Sequence, residues 1–541
     1  MPTFSLSTAI AGLKYEAKQT EQGAGVFVKN AVVAYLLQTS TCTEITDIDY
    51  PSRHTYGVSS LVHSPATSTA TFTTISTHSL ETGDQVVVYG ANQGAYNVTT
   101  TITVLHPSSF TYSVTSSPAS PATNTTNIFA RGGKTTVPGV VYLNSRIYVQ
   151  EIDGPIRNSD DGDATAWNAL AFITPERESS NPVRIAKSLN YIASFKEWDT
   201  EFFYDAAIAA PASPLGPVDS QYLKLGCADP YSVVEFDGGI VFMSKRDQSQ
   251  RSREIHVLNG LTPKKVSTPE VERILNASDL TTTHACYLST GGHQLYTLTL
   301  KDQAITIVYD FNNGFWYEWS FLTAEASTQI ATGNLTSDGD TATVTLASHG
   351  FAAGDPVLVS SVAQAVYNGI FSISRENANT FTYPLSSFVT TAATSSATVM
   401  SVAGYAESYF PAVGYAAYQN LDLVLHETNG IIYSLEPDVY RDNGVPINVH
   451  IRLAPWDGGN NMHKMVSRLR VIGDRTDSDL LVRYSDNDSA SYSAYRRLDQ
   501  NEESAQLTRL GSTRRRVYEL RHTENTPGRW QEIEQDGTQG S

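Results

Sequence analysis

One stretch of this chain occurs twice. Residues 78–112 align without gaps with residues 349–383, an offset of 271, and twelve of the 35 positions are identical. Chance would give about two, at a few per cent per position for ordinary composition. The shared residues are a His, a Gly-Asp pair, two Val, a Gln, Tyr-Asn, an Ile and a closing Phe-Thr-Tyr. A Thr-Ala-Thr strand opens each copy (from Thr69 and Thr341), and a Gly-Asp turn (Gly83-Asp84, Gly354-Asp355) precedes a Val-x-Val strand. An offset of 271 is far beyond the ~20–50 residues of a stacked repeat array, and the text between the copies is unlike them. The expectation is two small β-sandwich modules, residues 61–128 and 331–403, inserted into loops of a larger host. Such insertions survive at loop tips because closure entropy grows slowly with loop length.

The host divides into residues 1–60, 129–330 and 404–445, followed by a β-rich C-terminal segment, 446–541. Strand patterns dominate it. Ile447, Val449, Ile451 and Leu453 alternate with polar residues, and Leu189, Tyr191, Ala193 and Phe195 repeat the period of two expected of half-buried strands. Asp237-Gly238-Gly239, Asn312-Asn313-Gly314, Asn429-Gly430 and Asp442-Asn443-Gly444 supply turns. One helix start stands out: Thr268 can cap, Pro269 suits the first position, and Val271, Ile274 and Leu275 share a face. Hairpins rich in aromatics recur near 140–149, 191–204, 239–258, 305–319 and 416–435. They predict five blades of a β-propeller, which leaves only short protected sheet edges, with a sixth from residues 24–60. The fold class expected is all-β: a propeller host, two inserted sandwiches and the C-terminal segment.

Chemistry is sparse in this text. Three cysteines (Cys42, Cys227, Cys286) stand far apart and never as CxxC, which argues against a disulfide framework or thiolate zinc site. Gly133-Lys134-Thr135 lacks the Gly a phosphate loop needs five positions earlier, where Ile128 stands. Asp160-Asp161-Gly162-Asp163 fails the calcium-loop pattern, with Thr165, Ala166 and Phe172 at ligand or turn positions. Residues 485–492 match the hairpin box of sialidase-type propellers at one defining position in five. No catalytic, cofactor or metal site is expected. Without a basic n-region or 18 consecutive apolar residues, the expectation is a soluble, intracellularly folded chain with no membrane insertion. With 37 Lys plus Arg against 55 Asp plus Glu, the formal charge is −18, unsuited to coating nucleic acid.

Two basic segments remain. Loop 245–253 carries Lys245, Arg246, Arg251 and Arg253, four basic residues in nine, and loop 158–165 carries three Asp in eight. Arg514, Arg515 and Arg516 are a candidate docking surface for an acidic partner or phosphate, the bland reading being a solvated strand edge.

Five segments, in order, carry a resemblance. They are Ala228-Asp229-Pro230-Tyr231-Ser232-Val233; Lys265-Val266-Ser267-Thr268-Pro269-Glu270-Val271-Glu272; and Gly292-His293-Gln294-Leu295-Tyr296, leading to Val308-Tyr309-Asp310 and Gly314-x-Trp316-x-Glu318. Next come Gly430-Ile431-Ile432-Tyr433-Ser434-Leu435 with Asp442-Asn443-Gly444-Val445-Pro446-Ile447, and last Tyr484-Ser485-Asp486 with 510–521. Together they resemble the tail-nozzle, or packaged-DNA-stabilisation, family of short-tailed bacteriophages. The two inserts look like immunoglobulin-like decorations of virion proteins and are departures from that pattern. The resemblance implies a structural, non-enzymatic virion protein of the phage tail, assembled in the bacterial host cytoplasm. It implies a homohexameric ring below the portal and adaptor proteins that meets tail fibre or tail needle proteins. Genomic double-stranded DNA would pass through its lumen without sequence recognition, be retained there after packaging, and leave on ejection, with loop 245–253 (Lys245, Arg246, Arg251, Arg253) or loop 158–165 as the candidate gate of that channel. Six times a charge of −18 would give walls that repel phosphate. The competing expectations are a receptor-binding tail adhesin and a propeller glycoside hydrolase, which would need paired carboxylates.

Overall fold

The computed structural model describes residues 16–539 apart from 21–24, 32, 39–40, 48, 52–53, 79, 134, 238, 246–251, 324–327, 352, 354, 402–405, 419–420, 428–429, 443–444 and 461. The chain falls into two compact units, Met1–Tyr287 and Leu288–Ser541.

The first unit contains four antiparallel meanders. Their opening strands are Glu16–Gln19, Val141–Leu143, Pro182–Ser188 and, in the fourth, Gly226–Cys227 with Val234–Phe236. In the second meander Asn144 and Ser145, both at positive φ, turn Val141–Leu143 tightly into Arg146–Gln150. Adjacent residues of one strand serve different cores. Ile147 and Val149 pack with Phe27, Tyr50 and Trp167 of one cluster, while Tyr148 packs with Ile192, Phe203 and Leu215 of the next. One residue past Ile192, Ala193 turns to a third cluster, where Phe195 meets Phe242 with ring centroids 4.8 Å apart. Each inner sheet is therefore buried on both faces between its neighbours, the packing of propeller blades.

That stacking corrects the half-buried pattern expected around 189–195. The strand Tyr191–Lys196 is buried at every position from Ile192 onward, because a sheet lodged between two others has no solvent face. Leu189, counted in the alternation, lies in the turn at φ +54° and is 55% exposed. The first meander also sits earlier than residues 24–60. Its strands end at Cys42–Glu44, and His54–Ser64 belongs to the first sandwich.

In that sandwich, strand His54–Ser64 serves both layers. Its first half pairs with Phe129–Gly132 and its second half with Thr69–Thr74, with a bulge between Val58 and Ser60 where it changes layer. Both layers close on one core that includes Val58, Leu61, Phe72, Val86, Phe110 and Ile128. The sandwich thus spans 54–132, wider than the repeat alone marks. Gly132 pairs with His54, so the two ends of the insertion leave side by side.

The boundary between the units falls within strand His284–Thr290. In the second unit, His293–Leu300, Ile305–Asp310 and Phe315–Thr323 form successive neighbours of a sheet whose last strand, Ala406–Tyr409, comes only after the second insert. Thr323 pairs with Ala406, so the second sandwich occupies a hairpin connection of this sheet. A three-stranded meander follows (Ala412–Tyr418, Leu421–His426, Ile432–Leu435). Beyond residue 448, two sheets enclose Val466, Leu469, Leu480, Val482, Leu498 and Leu520 as a third sandwich. The cap expected at Thr268 is present: its side chain accepts from the Val271 N–H, and Val271 and Leu275 bury one face of helix Pro269–Ala277.

The two inserts share atomic detail. Gln85–Tyr89, Gly94–Tyr96 and Val98–Thr101 recur 271 residues later as Pro356–Ser360, Ala365–Tyr367 and Gly369–Ser372. Tyr112 and Tyr383 donate their hydroxyls to the carbonyls of Tyr96 and Tyr367, each at 3.2 Å. Asn97 holds both backbone groups of Ala91 at 2.9 and 2.8 Å, and Asn368 holds those of Val362 at the same distances. Asn97→Ala and Asn368→Ala strip the same two bonds from part-buried backbone, so each should destabilise its own sandwich by about 1–2 kcal/mol and leave the other unchanged. Urea titration followed by hydrogen exchange checks this. Deleting 54–132 and joining the flanks should leave the four meanders folded, whereas deleting 61–128 should expose Tyr56 and Val58 and give insoluble protein. Soluble-fraction assays separate the two outcomes.

Candidate functional site

The candidate gate lies on the fourth meander. Lys245 ends strand Gly239–Lys245 with its ammonium 3.9 Å from the centre of the Trp198 ring, a cation–π contact. Arg253 opens the next strand. Its guanidinium donates to the carbonyls of Leu275 and Ser278 at 2.7 and 2.6 Å, and its backbone N–H donates to the Asn276 side chain. A cation on the last carbonyls of helix Pro269–Ala277 satisfies groups the helix leaves bare and opposes its dipole. Lys245 and Arg253 are thus held within the fold, and Arg246 and Arg251 lie outside the described residues. In the acidic loop, Asn158 is buried in a strand, and Asp163 accepts from the backbone and hydroxyl of Thr165 at 2.8 and 2.6 Å. Those bonds hold its carboxyl below the usual range.

The three C-terminal arginines part company. Arg516 is 1% exposed. Its Nε and Nη2 grip the two oxygens of Asp486 at 2.6 and 2.8 Å, its Nη1 donates to the Leu510 carbonyl at 2.8 Å, and its plane lies 3.9 Å over the Tyr484 ring. Arg515 pairs loosely with Asp488 at 3.2 Å where both are exposed, and Arg514 faces solvent. Arg516 is therefore a strut that ties the turn after Asp479–Ser485 to the strand Val517–His522. Only Arg514 and Arg515 remain open to a partner. Beside the strut, buried Glu519 gathers Arg483 at 2.6 Å, Tyr495 at 2.6 Å and His450 at 3.3 Å on one oxygen. Burial pushes this carboxyl up, but the hydrogen bonds of Tyr495 and Arg483 outweigh it and hold it below the usual range.

A buried ion cluster that the sequence does not reveal joins all four meanders of the first unit. Glu16 meets Arg184 at 2.7 Å and the N–H of Gly139; Lys29, 3.9 Å from Glu16, donates to Thr136 and the Val137 carbonyl. Arg184 also donates to the Pro230 carbonyl at 2.9 Å, and Lys18 pairs with Glu235. Burial pulls the Lys29 ammonium down to about 8 against the opposing pull of Glu16. Residues 16, 18, 184 and 235 lie on opening strands. Four sheets can share one such cluster only where those strands converge, so the opening strands form the inner edges of the blades.

Stacked meanders with converging inner edges define a β-propeller protein. A family model described as bacteriophage P22 Gp10, β-propeller, matches residues 50–332, just over half of the chain. The chain belongs to this phage stabilisation family, the one its five segments resemble. No curated protein sequence matches it. Among solved structures it is similar to BamB from Moraxella catarrhalis (10% identity, 78% of this chain and 97% of that one, TM-score 0.27). It is also similar to Sqt1 from Saccharomyces cerevisiae (10%, 76% and 93%, 0.27) and the endosialidase of phage phi92 (10%, 79% and 63%, 0.17). Scores this low carry no argument about function.

Hydrogen bonds of a charged group contribute about 1.5–3 kcal/mol, and Asp486, the carboxylate that Arg516 would leave behind, is exposed. Arg516→Ala should therefore destabilise the C-terminal sandwich on that scale, while Arg514→Ala and Arg515→Ala should stay within about 0.5 kcal/mol of the parent in chemical denaturation, as exposed substitutions do. A second expectation concerns His522, which packs edge-on against Trp530 and whose imidazole burial pulls down to about 4. Between its ordinary value near ~6.5 and about 4, the unfolded chain binds a proton that the folded chain refuses, so stability falls as pH drops through that window. Glu524, pushed up to about 7, slopes the other way. The His522→Gln variant should lose only the first slope, which a difference profile of stability against pH isolates.

Proposed function

We propose that the protein is a structural, non-enzymatic component of a phage tail: a ring of six copies below the portal and adaptor that continues the DNA channel, retains packaged genome and opens for ejection. The family match over residues 50–332 carries this reading. The fold is compatible with it in a specific way. The inner edges of the first unit's blades meet around Glu16 and Arg184, so a duplex would run along the axis of the ring and not through the blades of one chain. A wall of chains at −18 each would repel phosphate and let DNA slide.

The sandwich at 54–132 and the second one, whose strands run from Thr328–Ile330 to Ala397–Ser401 where the repeat alone marks 331–403, stand in this proposal as immunoglobulin-like decorations on the outer surface, facing tail fibre or needle proteins. Gating is assigned to hairpin tips, which switch between arrangements at low cost. Because Lys245 and Arg253 are engaged within the fold, the informative gate variant replaces Arg246 and Arg251 alone by Ser. It should assemble normally and alter genome retention, measured as DNA released from filled particles. Arg253→Ser should instead loosen the end of helix Pro269–Ala277 by about 1–2 kcal/mol. Mass measurement of the assembled tail should give six copies per particle; three or twelve would contradict the ring proposed here.

A further inference from the structure

The second unit holds a cleft of about 210 Å³ that none of the elements above uses. Its walls are apolar, built from Phe410, Pro411, Val424, Leu425, Leu435 and Val439. Four ionisable side chains other than tyrosine line it: His426, Glu436, Arg441 and Asp442. His426 packs against the Tyr433 ring, which also lines the cleft, with centroids 5.8 Å apart, and Glu436 accepts the Ser434 hydroxyl at 2.6 Å.

Asp442 is the unusual member. It sits partly buried on the short strand Arg441–Asp442, against the apolar walls. Burial pushes its carboxyl up to about 6. A carboxylate taken out of water without a compensating charge is costly. A cation arriving from outside would remove that cost, and an apolar slot suits the methylene stem of a long basic side chain, which buries its stem and keeps its charge paired. The lining carboxylates, Asp442 and Glu436, outnumber the single guanidinium of Arg441. The cleft is lined in part by Tyr433, Ser434, Leu435, Asp442 and Ile447, a stretch singled out in the sequence for its family resemblance and otherwise without a role.

We propose that this cleft receives an arginine or lysine side chain presented by a partner protein, its stem along Phe410 and Val424 and its cationic head on the Asp442 carboxylate.

The test uses the full chain and calorimetric titration with three probes: n-butylguanidinium, its neutral isostere n-butylurea, and acetyl-arginine amide, which carries the same head on a peptide unit. Saturable binding of n-butylguanidinium and of acetyl-arginine amide is expected at pH 8. A charge-assisted hydrogen bond makes n-butylurea and the Asp442→Asn variant weaker by about tenfold or more. Binding should also weaken between pH 8 and pH 5, as Asp442 takes up its proton. Equal affinity for guanidinium and urea on the parent protein would overturn the proposal even if the variant fails to fold. Binding of n-butylguanidinium without acetyl-arginine amide would mean a site for small free cations and would equally overturn it.

Discussion

Ile147 and Val149 point into one neighbouring sheet while Tyr148, between them, points into the other. On this alternation the first unit depends. Each of the two inner meanders shares one core with the sheet on either side. Fully burying a Leu, Ile, Val or Phe side chain contributes about 1.5–3 kcal/mol, and between the meanders that gain belongs to pairs of sheets. Stability is accordingly collective along the stack. The ion cluster around Glu16 fits the same logic: its charges are tolerable because the opening strands of three sheets, and the segment leading into the other, bring their partners to one place.

The inserted sandwiches obey a different rule, since each closes both layers on a private core. Their attachment explains why the host tolerates them. Gly132 and His54 are paired neighbours, and Thr323 and Ala406 are paired across the base of the second insertion. The first insert's two ends therefore leave it side by side, and the second lies between two host strands that already pair.

Much of this was legible in the sequence, and the reasons differ from place to place. The repeat was visible because its identities include residues with fixed work: Asn97 and Asn368 close a loop, and Tyr112 and Tyr383 reach the same carbonyl. Blades were visible as aromatic hairpins. The split blade was not, because Ala406–Tyr409 is separated from its partner Phe315–Thr323 by a whole sandwich, and local periodicity carries no information about such a pairing. The arginine run was misleading for a related reason. Arg514, Arg515 and Arg516 are one patch in sequence, but only the third is directed inward, and its partner Asp486 lies 30 residues away. Nor did the alternation around Leu189 reveal a second buried face, since a small polar residue such as Ser194 can pack inside a stack.

The shared-core account is tested most directly by native-state hydrogen exchange on the full chain. Strands Arg146–Gln150, Tyr191–Lys196 and Gly239–Lys245 lie in successive sheets. If their cores are shared, their slowest amides should open together, with one free energy and one dependence on denaturant, while the two inserted sandwiches open separately. Independent opening of these three strands, each with its own free energy, would contradict the account.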